Sequence, residues 1–178
     1  MTSPHKAIFL DRDGVLNNET GEYVWQAEKF IVSPGVPGAL TRLKAAGYRL
    51  IVVTNQAGIA KGLYTGADVQ ARHAQLQAAC GNVLDALYFS DNHPSMSESI
   101  FRKPDSGMLE KAAVRFALDL AQCWIVGDRL RDMQAGARLG IRGILVGHTE
   151  VGAHTPYAVD LVAATNIILM GNNLVDNK

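Results

Sequence analysis

The sequence predicts an α/β protein built on a doubly wound, mostly parallel sheet. Strand-like apolar runs alternate with segments of helical spacing, which makes a chain of βαβ units. The runs are apolar throughout rather than alternating, as a sheet covered on both faces requires. Polar residues gather directly after the runs, at the carboxyl edge where ligands bind in such sheets. At 178 residues and 48% hydrophobic, the chain suits one domain, 1–178, with a sizeable core.

Taken in order, Lys6–Leu10 is the first strand. Val36, Ala39, Leu40 and Leu43 repeat at helical spacing over 36–46, and Gly47 supplies the stop. Arg49–Thr54 is a continuous apolar strand. Thr65 and Asp68 have the spacing of a capping box and open a helix to about Ala79. Ala86–Phe89 is the third strand, and a helix is expected from about Pro104 to Leu118, with Met108, Leu109, Ala112, Ala113 and Phe116 on one face. Cys123–Val126, Gly143–Val146 and Val159–Val162 complete the expected strands, with a helix near 131–139. No repeat, linker or low-complexity segment interrupts the pattern.

Lysine plus arginine and aspartate plus glutamate both number 17, so the net charge is zero and no basic run is present. Nothing here supports a nucleic-acid or membrane-surface partner. No apolar stretch reaches the roughly 18 residues that span a bilayer. Met1–Pro4 leads into the first strand without a signal-peptide pattern. Cys80 and Cys123 sit in apolar surroundings and read as core packing, consistent with a reduced cytoplasmic compartment. A monomer is expected.

Four strand ends carry the chemistry. In Asp11-Arg12-Asp13-Gly14 the i, i+2 spacing puts two carboxylates on the same side of the chain as it leaves the sheet. At about 4–5 Å such a pair repels by roughly 4 kcal/mol at an effective dielectric near 20, so a cation, a proton or a chemical purpose is required. Gly14 lets the backbone turn away sharply. Thr54-Asn55-Gln56 ends the second run with a hydroxyl and successive amides suited to phosphate oxygens. In Arg102-Lys103-Pro104 the proline suits a first helical turn, which would set Lys103 at the positive end of that helix, where cations imply an anion. Asp128 follows Trp124–Gly127, and Asp132, four residues on, is either a partner at the site or an acid serving the helix dipole. An aspartate nucleophile, a second acid, a metal and a lysine are the parts of phosphoryl transfer through an aspartyl-phosphate.

Asp11-Arg12-Asp13-Gly14, Thr54, Lys103 and Gly127-Asp128 resemble the haloacid dehalogenase superfamily of phosphatases, over residues 6 to about 147. The resemblance implies a Rossmann-like domain in which Asp11 attacks phosphorus and Asp13 acts as general acid, then general base. It also implies Mg²⁺ held by Asp11, the main-chain carbonyl of Asp13, and Asp128, with Thr54 and Lys103 stabilising the transferring phosphoryl group. The gaps between Gly14 and Val36 and between Thr54 and Lys103 are too short for a separate cap domain.

Val53–Gly62, Gly21–Val24, Phe101–Pro104 and Gly127–Met133 further resemble the family of heptose-bisphosphate 7-phosphatases and histidinol-phosphate phosphatases. That resemblance implies removal of the 7-phosphate of D-glycero-D-manno-heptose 1,7-bisphosphate, a small-molecule sugar phosphate used for lipopolysaccharide core precursors. Histidinol phosphate is the alternative substrate. Arg12, Glu19, Tyr23, Asn55, Gln56, Lys61, Arg102 and Arg129 are the candidate substrate contacts, with Lys61, Arg102 and Arg129 available for a second phosphate.

Two departures stand out. Most members of the family it resembles hold zinc through cysteines and a histidine before Arg-Lys-Pro, whereas Ser90–Phe101 contains no cysteine. His93 alone cannot supply the four ligands of a structural zinc site, so no zinc is expected. Lys61 and Arg129 also exchange the residue types common in relatives, which keeps the charges but alters their geometry. His5, His73, His148 and His154 stand apart from the strand ends and are given no role. A phospho-accepting receiver domain shares the aspartate, Mg²⁺, hydroxyl and lysine, but needs no acid two residues past the nucleophile. Asp13 therefore favours turnover.

Overall fold

The structure, a computed structural model, describes residues 5–147 and 156–173. Six strands form one sheet: β1 (Ala7–Leu10), β2 (Arg49–Asn55), β3 (Ala86–Ser90), β4 (Trp124–Gly127), β5 (Arg142–Val146) and β6 (Tyr157–Ala158). Their order is β3-β2-β1-β4-β5-β6, and every neighbouring pair is parallel. Five helices pack on it: α1 (Val36–Ala45), α2 (Gly66–Ala79), α3 (Gly107–Phe116), α4 (Leu130–Ala137) and α5 (Leu161–Asn173).

The period-2 geometry of a strand explains why these runs are apolar throughout. Ile8 and Leu10 of β1 face one way, into a cluster with Leu50, Val52, Val126, Leu40 and Leu43 of α1, and Ile168 of α5. Ala7 and Phe9 face the other, packing with Ile51, Val53, Ile125, Met108 and Leu109 of α3, and Ala135 of α4. Both cysteines are free and buried, Cys80 in the first cluster and Cys123 in the second. The capping box at Thr65 and Asp68 forms as expected.

Two expectations are corrected. Val159–Val162 is not a strand: the sixth strand is the two residues Tyr157–Ala158, and α5 begins at Leu161. Asp160 Oδ1 accepts the Ala163 amide at 2.8 Å, satisfying a free N–H at the helix start. Leu161, Ala164, Thr165 and Ile168 are buried at helical spacing, while Val159 is exposed. The helix expected from Pro104 begins at Gly107, so Lys103 does not stand at its positive end. Ile100 O would lie 2.6 Å from a Cβ at Gly107, so the 100–106 turn folds tightly over the helix start.

β1 lies centrally, with β2 and β3 on one side and β4, β5 and β6 on the other. The connection order reverses at β1, which makes the carboxyl end of β1 the switch point of the sheet. The segments over 14–35 and 91–106 are loops along that edge, and neither forms a separate cap domain.

Candidate active site

Asp11 follows β1 directly, and its amide donates to Val126 O at 2.9 Å, extending the β1–β4 ladder by one residue. Its Oδ1 accepts from the Arg12 amide at 2.8 Å and contacts Lys103 Nζ at 3.0 Å. Lys103 Nζ also lies 2.6 Å from Asp132 Oδ1 and donates to Val53 O at 2.7 Å. Asp11, Lys103 and Asp132 are all buried. Burial alone would push the lysine pKa down, but Asp11 and Asp132 outweigh it and hold the pKa above the usual range.

The main chain of Lys103 is fixed from β2. Asn55 Nδ2 donates to Lys103 O at 2.9 Å, and the Lys103 amide donates to Asn55 Oδ1 at 3.1 Å. The Lys103–Pro104 peptide is cis. Asn55, a candidate substrate contact, thus spends its amide group on aiming the lysine.

Carboxylate oxygens of Asp11, Asp128 and Asp132 lie within 4.8 Å of one another. Burial, followed by the charges of Asp11 and Asp132, pushes the Asp128 pKa up to about 7, against the lowering effect of Arg129. So much negative charge in a desolvated corner fits a divalent cation, and a donor set of oxygens alone suits a hard one. Two glycines make the approach possible. Gly14 has φ +83°, and a Cβ there would stand 2.6 Å from Asp128 Oδ2; a Cβ at Gly127 would overlap Asp132. Both readings of Asp132 hold, one on each oxygen: Oδ1 meets Lys103, and Oδ2 accepts the Arg129 amide at 3.1 Å at the start of α4.

Asp13 is gripped from three directions. Arg12 donates Nε at 3.1 Å and Nη2 at 3.0 Å to Oδ1, and Nη2 at 2.9 Å to Oδ2. Asn17 Nδ2 reaches Oδ1 at 3.0 Å, and Gln56 Nε2 reaches Oδ2 at 3.0 Å. Arg12, a candidate substrate contact, is itself buried, lies 5.5 Å over the Phe30 ring and donates to Val24 O at 3.2 Å. Gln56 Nε2 also donates to Thr54 Oγ1 at 2.9 Å, and Tyr64 OH donates to Gln56 Oε1 at 2.7 Å. Burial pushes the Tyr64 phenol up to about 12, so it stays protonated and donates at neutral pH. Asn17 and Tyr64 were not anticipated; Tyr64 carries no local signal because its role arises from a contact with a separate strand end.

A cavity of about 270 Å³ opens outward from Asp13, lined by Glu19, Tyr23, Asn55, Gln56, Tyr64 and Arg131 among others. Lys61 Nζ stands 5.3 Å over the ring of Tyr23, one of the lining residues. Arg102 donates to Asn92 O at 2.7 Å, and Arg129 pairs with Glu19 at 3.2 Å and Asp128 at 3.0 Å. Arg131 was not anticipated as a site residue. In the loop before Arg102, His93 Nδ1 lies 2.7 Å from Ser95 Oγ. His73, half-buried on α2, has its pKa lowered by burial and then by Arg12. His148 and His154 lie outside the described residues.

A sequence model of haloacid dehalogenase-like hydrolases matches residues 5–140. The D-glycero-alpha-D-manno-heptose-1,7-bisphosphate 7-phosphatase of Burkholderia mallei is 41% identical over 146 residues, 77% of each chain. The D-glycero-beta-D-manno-heptose-1,7-bisphosphate 7-phosphatase of Haemophilus ducreyi is 36% identical over 180 residues, 96% of this chain and 95% of its own. The fold superimposes on the crystal structure of the D,D-heptose 1,7-bisphosphate phosphatase from B. bronchiseptica, complexed with magnesium and phosphate. That match has a TM-score of 0.84 at 32% identity, covering 93% of this chain and 99% of the other.

Proposed function

The chain belongs to the haloacid dehalogenase-like hydrolases, and on that footing we propose that it removes the 7-phosphate of D-glycero-D-manno-heptose 1,7-bisphosphate. The observation that carries the chemistry is the placement of Asp11, fixed at the switch point with Lys103 on one oxygen and Asp128 beside it. The substrate reading is supported by relatives of that name over nearly the whole chain.

Asp11 is the nucleophile. Its Oδ1 is engaged by Lys103 and the Arg12 amide, which orients the carboxylate and offsets its charge. As the Asp11–phosphorus bond forms, the bond to the sugar oxygen breaks, and Asp13 supplies the proton that oxygen needs. Asp13 then takes a proton from water, whose oxygen attacks phosphorus and releases phosphate and free Asp11. The grip of Arg12, Asn17 and Gln56 keeps Asp13 aimed through both steps. Thr54 Oγ1 accepts from Gln56, which leaves its own proton for a phosphoryl oxygen. Asp11, Asp128 and the main-chain carbonyl of Asp13 are proposed to hold Mg²⁺, with Asp132 behind them. When bound it supplies charge neutralisation for carboxylate and phosphate together.

No helix among the described residues is long and apolar enough to cross a membrane, and the net charge is zero. We propose further that the 1–178 domain acts as a monomer in the cytoplasm on a small sugar phosphate, without nucleic acid or membrane. The deciding measurement is Mg²⁺-dependent phosphate release from the heptose bisphosphate and from histidinol phosphate. Expected is a kcat/KM at least about tenfold higher for the bisphosphate, equivalent to roughly 1.4 kcal/mol, and lost in Asp11→Asn. The reverse preference would reassign the substrate.

A further inference from the structure

Among the described residues, two cations that differ in kind touch the three carboxylates of the acid corner. Lys103 meets Asp11 at 3.0 Å and Asp132 at 2.6 Å, from a place closed to water and pinned by Val53 O. Asp128 meets the other: Arg129 Nε lies 3.0 Å from its Oδ2. The Arg129 side chain is 48% exposed, and its Nη2 reaches Glu19 Oε2 at 3.2 Å. Its amide is fixed on Asp132 Oδ2 at the start of α4, so the guanidinium folds back over its own neighbour. There it is shared between a carboxylate of the cation corner and one in the wall of the Asp13 cavity.

The difference in burial decides what each cation can do. An exposed ion pair is weak, so Arg129 leaves Asp128 at little cost, whereas Lys103 has nowhere to go. A guanidinium keeps its charge at every working pH. On Asp128 Oδ2 it opposes a divalent cation twice, by occupying that oxygen and by like charge. Glu19 offers it a second seat.

We infer that Arg129 is the resident counter-cation of this corner: it neutralises Asp128 in the metal-free protein, yields that oxygen to Mg²⁺, and is retained by Glu19. The assignment rests on the Mg²⁺ reading above. It makes Arg129 a positioning residue that sets metal affinity, and Glu19 the carboxylate that draws it aside.

The test is calorimetric titration of Mg²⁺ into substrate-free protein at pH about 8.5, where the Asp128 proton no longer competes. It compares the wild type with Arg129→Met, Arg131→Met, Glu19→Gln and the Glu19→Gln/Arg129→Met double variant. Expected is binding about threefold to tenfold tighter in Arg129→Met, where the loss of a merely structural residue would weaken it. Arg131 is exposed, two residues on, and makes no ion pair among the described residues, so Arg131→Met should change affinity less than about twofold. Glu19→Gln should weaken binding, and most of that effect should disappear once Arg129 is also removed. Arg129→Met should also lower Tm without Mg²⁺ and leave it unchanged at saturation. Unaltered affinity in Arg129→Met, or an equal gain in Arg131→Met, would overturn the assignment and leave the Mg²⁺ reading intact. A wild type that binds no Mg²⁺ would overturn both.

Discussion

Lys103 Nζ lies 2.6 Å from Asp132 Oδ1, and both side chains are closed off from water. The same lysine touches Asp11, so Asp132 sets the position of the cation that serves the proposed nucleophile. Through its other oxygen Asp132 also holds the start of α4, tying the lysine to the helix that follows Asp128. A structural task and a chemical one thus meet in a residue outside the reacting atoms.

Asp132→Asn tests that link. The amide keeps the volume but leaves a buried ammonium with one carboxylate fewer. Breaking a buried pair costs about 3–5 kcal/mol, and the low end applies because Asp11 and Val53 O still serve Lys103. Urea unfolding should therefore lose about 3 kcal/mol, and kcat should fall as the lysine shifts. A loss below about 1 kcal/mol, the scale of a surface pair, would show that Asp132 does not hold Lys103.

Binding of Mg²⁺ should release protons at neutral pH. In the metal-free fold, burial and then Asp11 and Asp132 raise Asp128 from the carboxylate range to about 7. A divalent cation needs the ionised form, so apparent affinity should fall about tenfold per pH unit below about 7 and level off above it. The stability sign follows the same shift. The raised pKa stabilises the metal-free fold fully below about 3.8, and that contribution is lost as pH rises through about 7. Stabilisation by Mg²⁺ should therefore grow across that window. Calorimetry in buffers of different ionisation enthalpy measures the proton release directly, and a pH-independent affinity between 6 and 8 would contradict the placement of Asp128.

Gln56→Leu should act on rate more than on binding. Its side chain joins Asp13, Thr54, Arg12 and Tyr64, so its loss leaves buried polar groups short of partners. Each such orphan costs about 1–3 kcal/mol, and in the proposed mechanism a misaimed Asp13 would transfer its proton poorly. We expect kcat to fall about tenfold to a hundredfold, the usual scale of general acid–base catalysis being larger still. Tyr64→Phe removes one hydrogen bond of the four and should cost less. Equal losses in KM for both variants would place Gln56 on the substrate instead.

The clustering of Asp11, Asp128 and Lys103 at one sheet edge was legible because its signals are local. Asp11 and Asp13 end an apolar strand at a spacing whose consequence is geometric, and Asp128 repeats that pattern on β4. Lys103 was identified for a reason the fold revises: its aim comes from Asn55 across the strand end, not from a helix beginning at Pro104. Asn17, Tyr64 and Arg131 escaped notice because each gains meaning only when separate loops converge on one cavity or one carboxylate. The helix α5 was missed because Val159-Asp160-Leu161-Val162 has the apolar run of a strand. Its helical spacing emerges only when Ala164 and Ile168 are read with Leu161.

Gly14→Ala separates backbone strain from loss of the metal corner. At φ +83° any side chain is strained, and here the new methyl would also stand 2.6 Å from Asp128 Oδ2. Gly140 has φ +68° with open space around it, so Gly140→Ala carries the strain alone. Left-handed backbone costs an L-residue about 1–2 kcal/mol, and both variants should lose that much in urea unfolding. Only Gly14→Ala should also weaken Mg²⁺ binding and cut kcat, since Asp128 must shift to admit the methyl. Matching Mg²⁺ titrations for the two variants would mean that the Gly14–Asp128 approach is not what shapes the cation site.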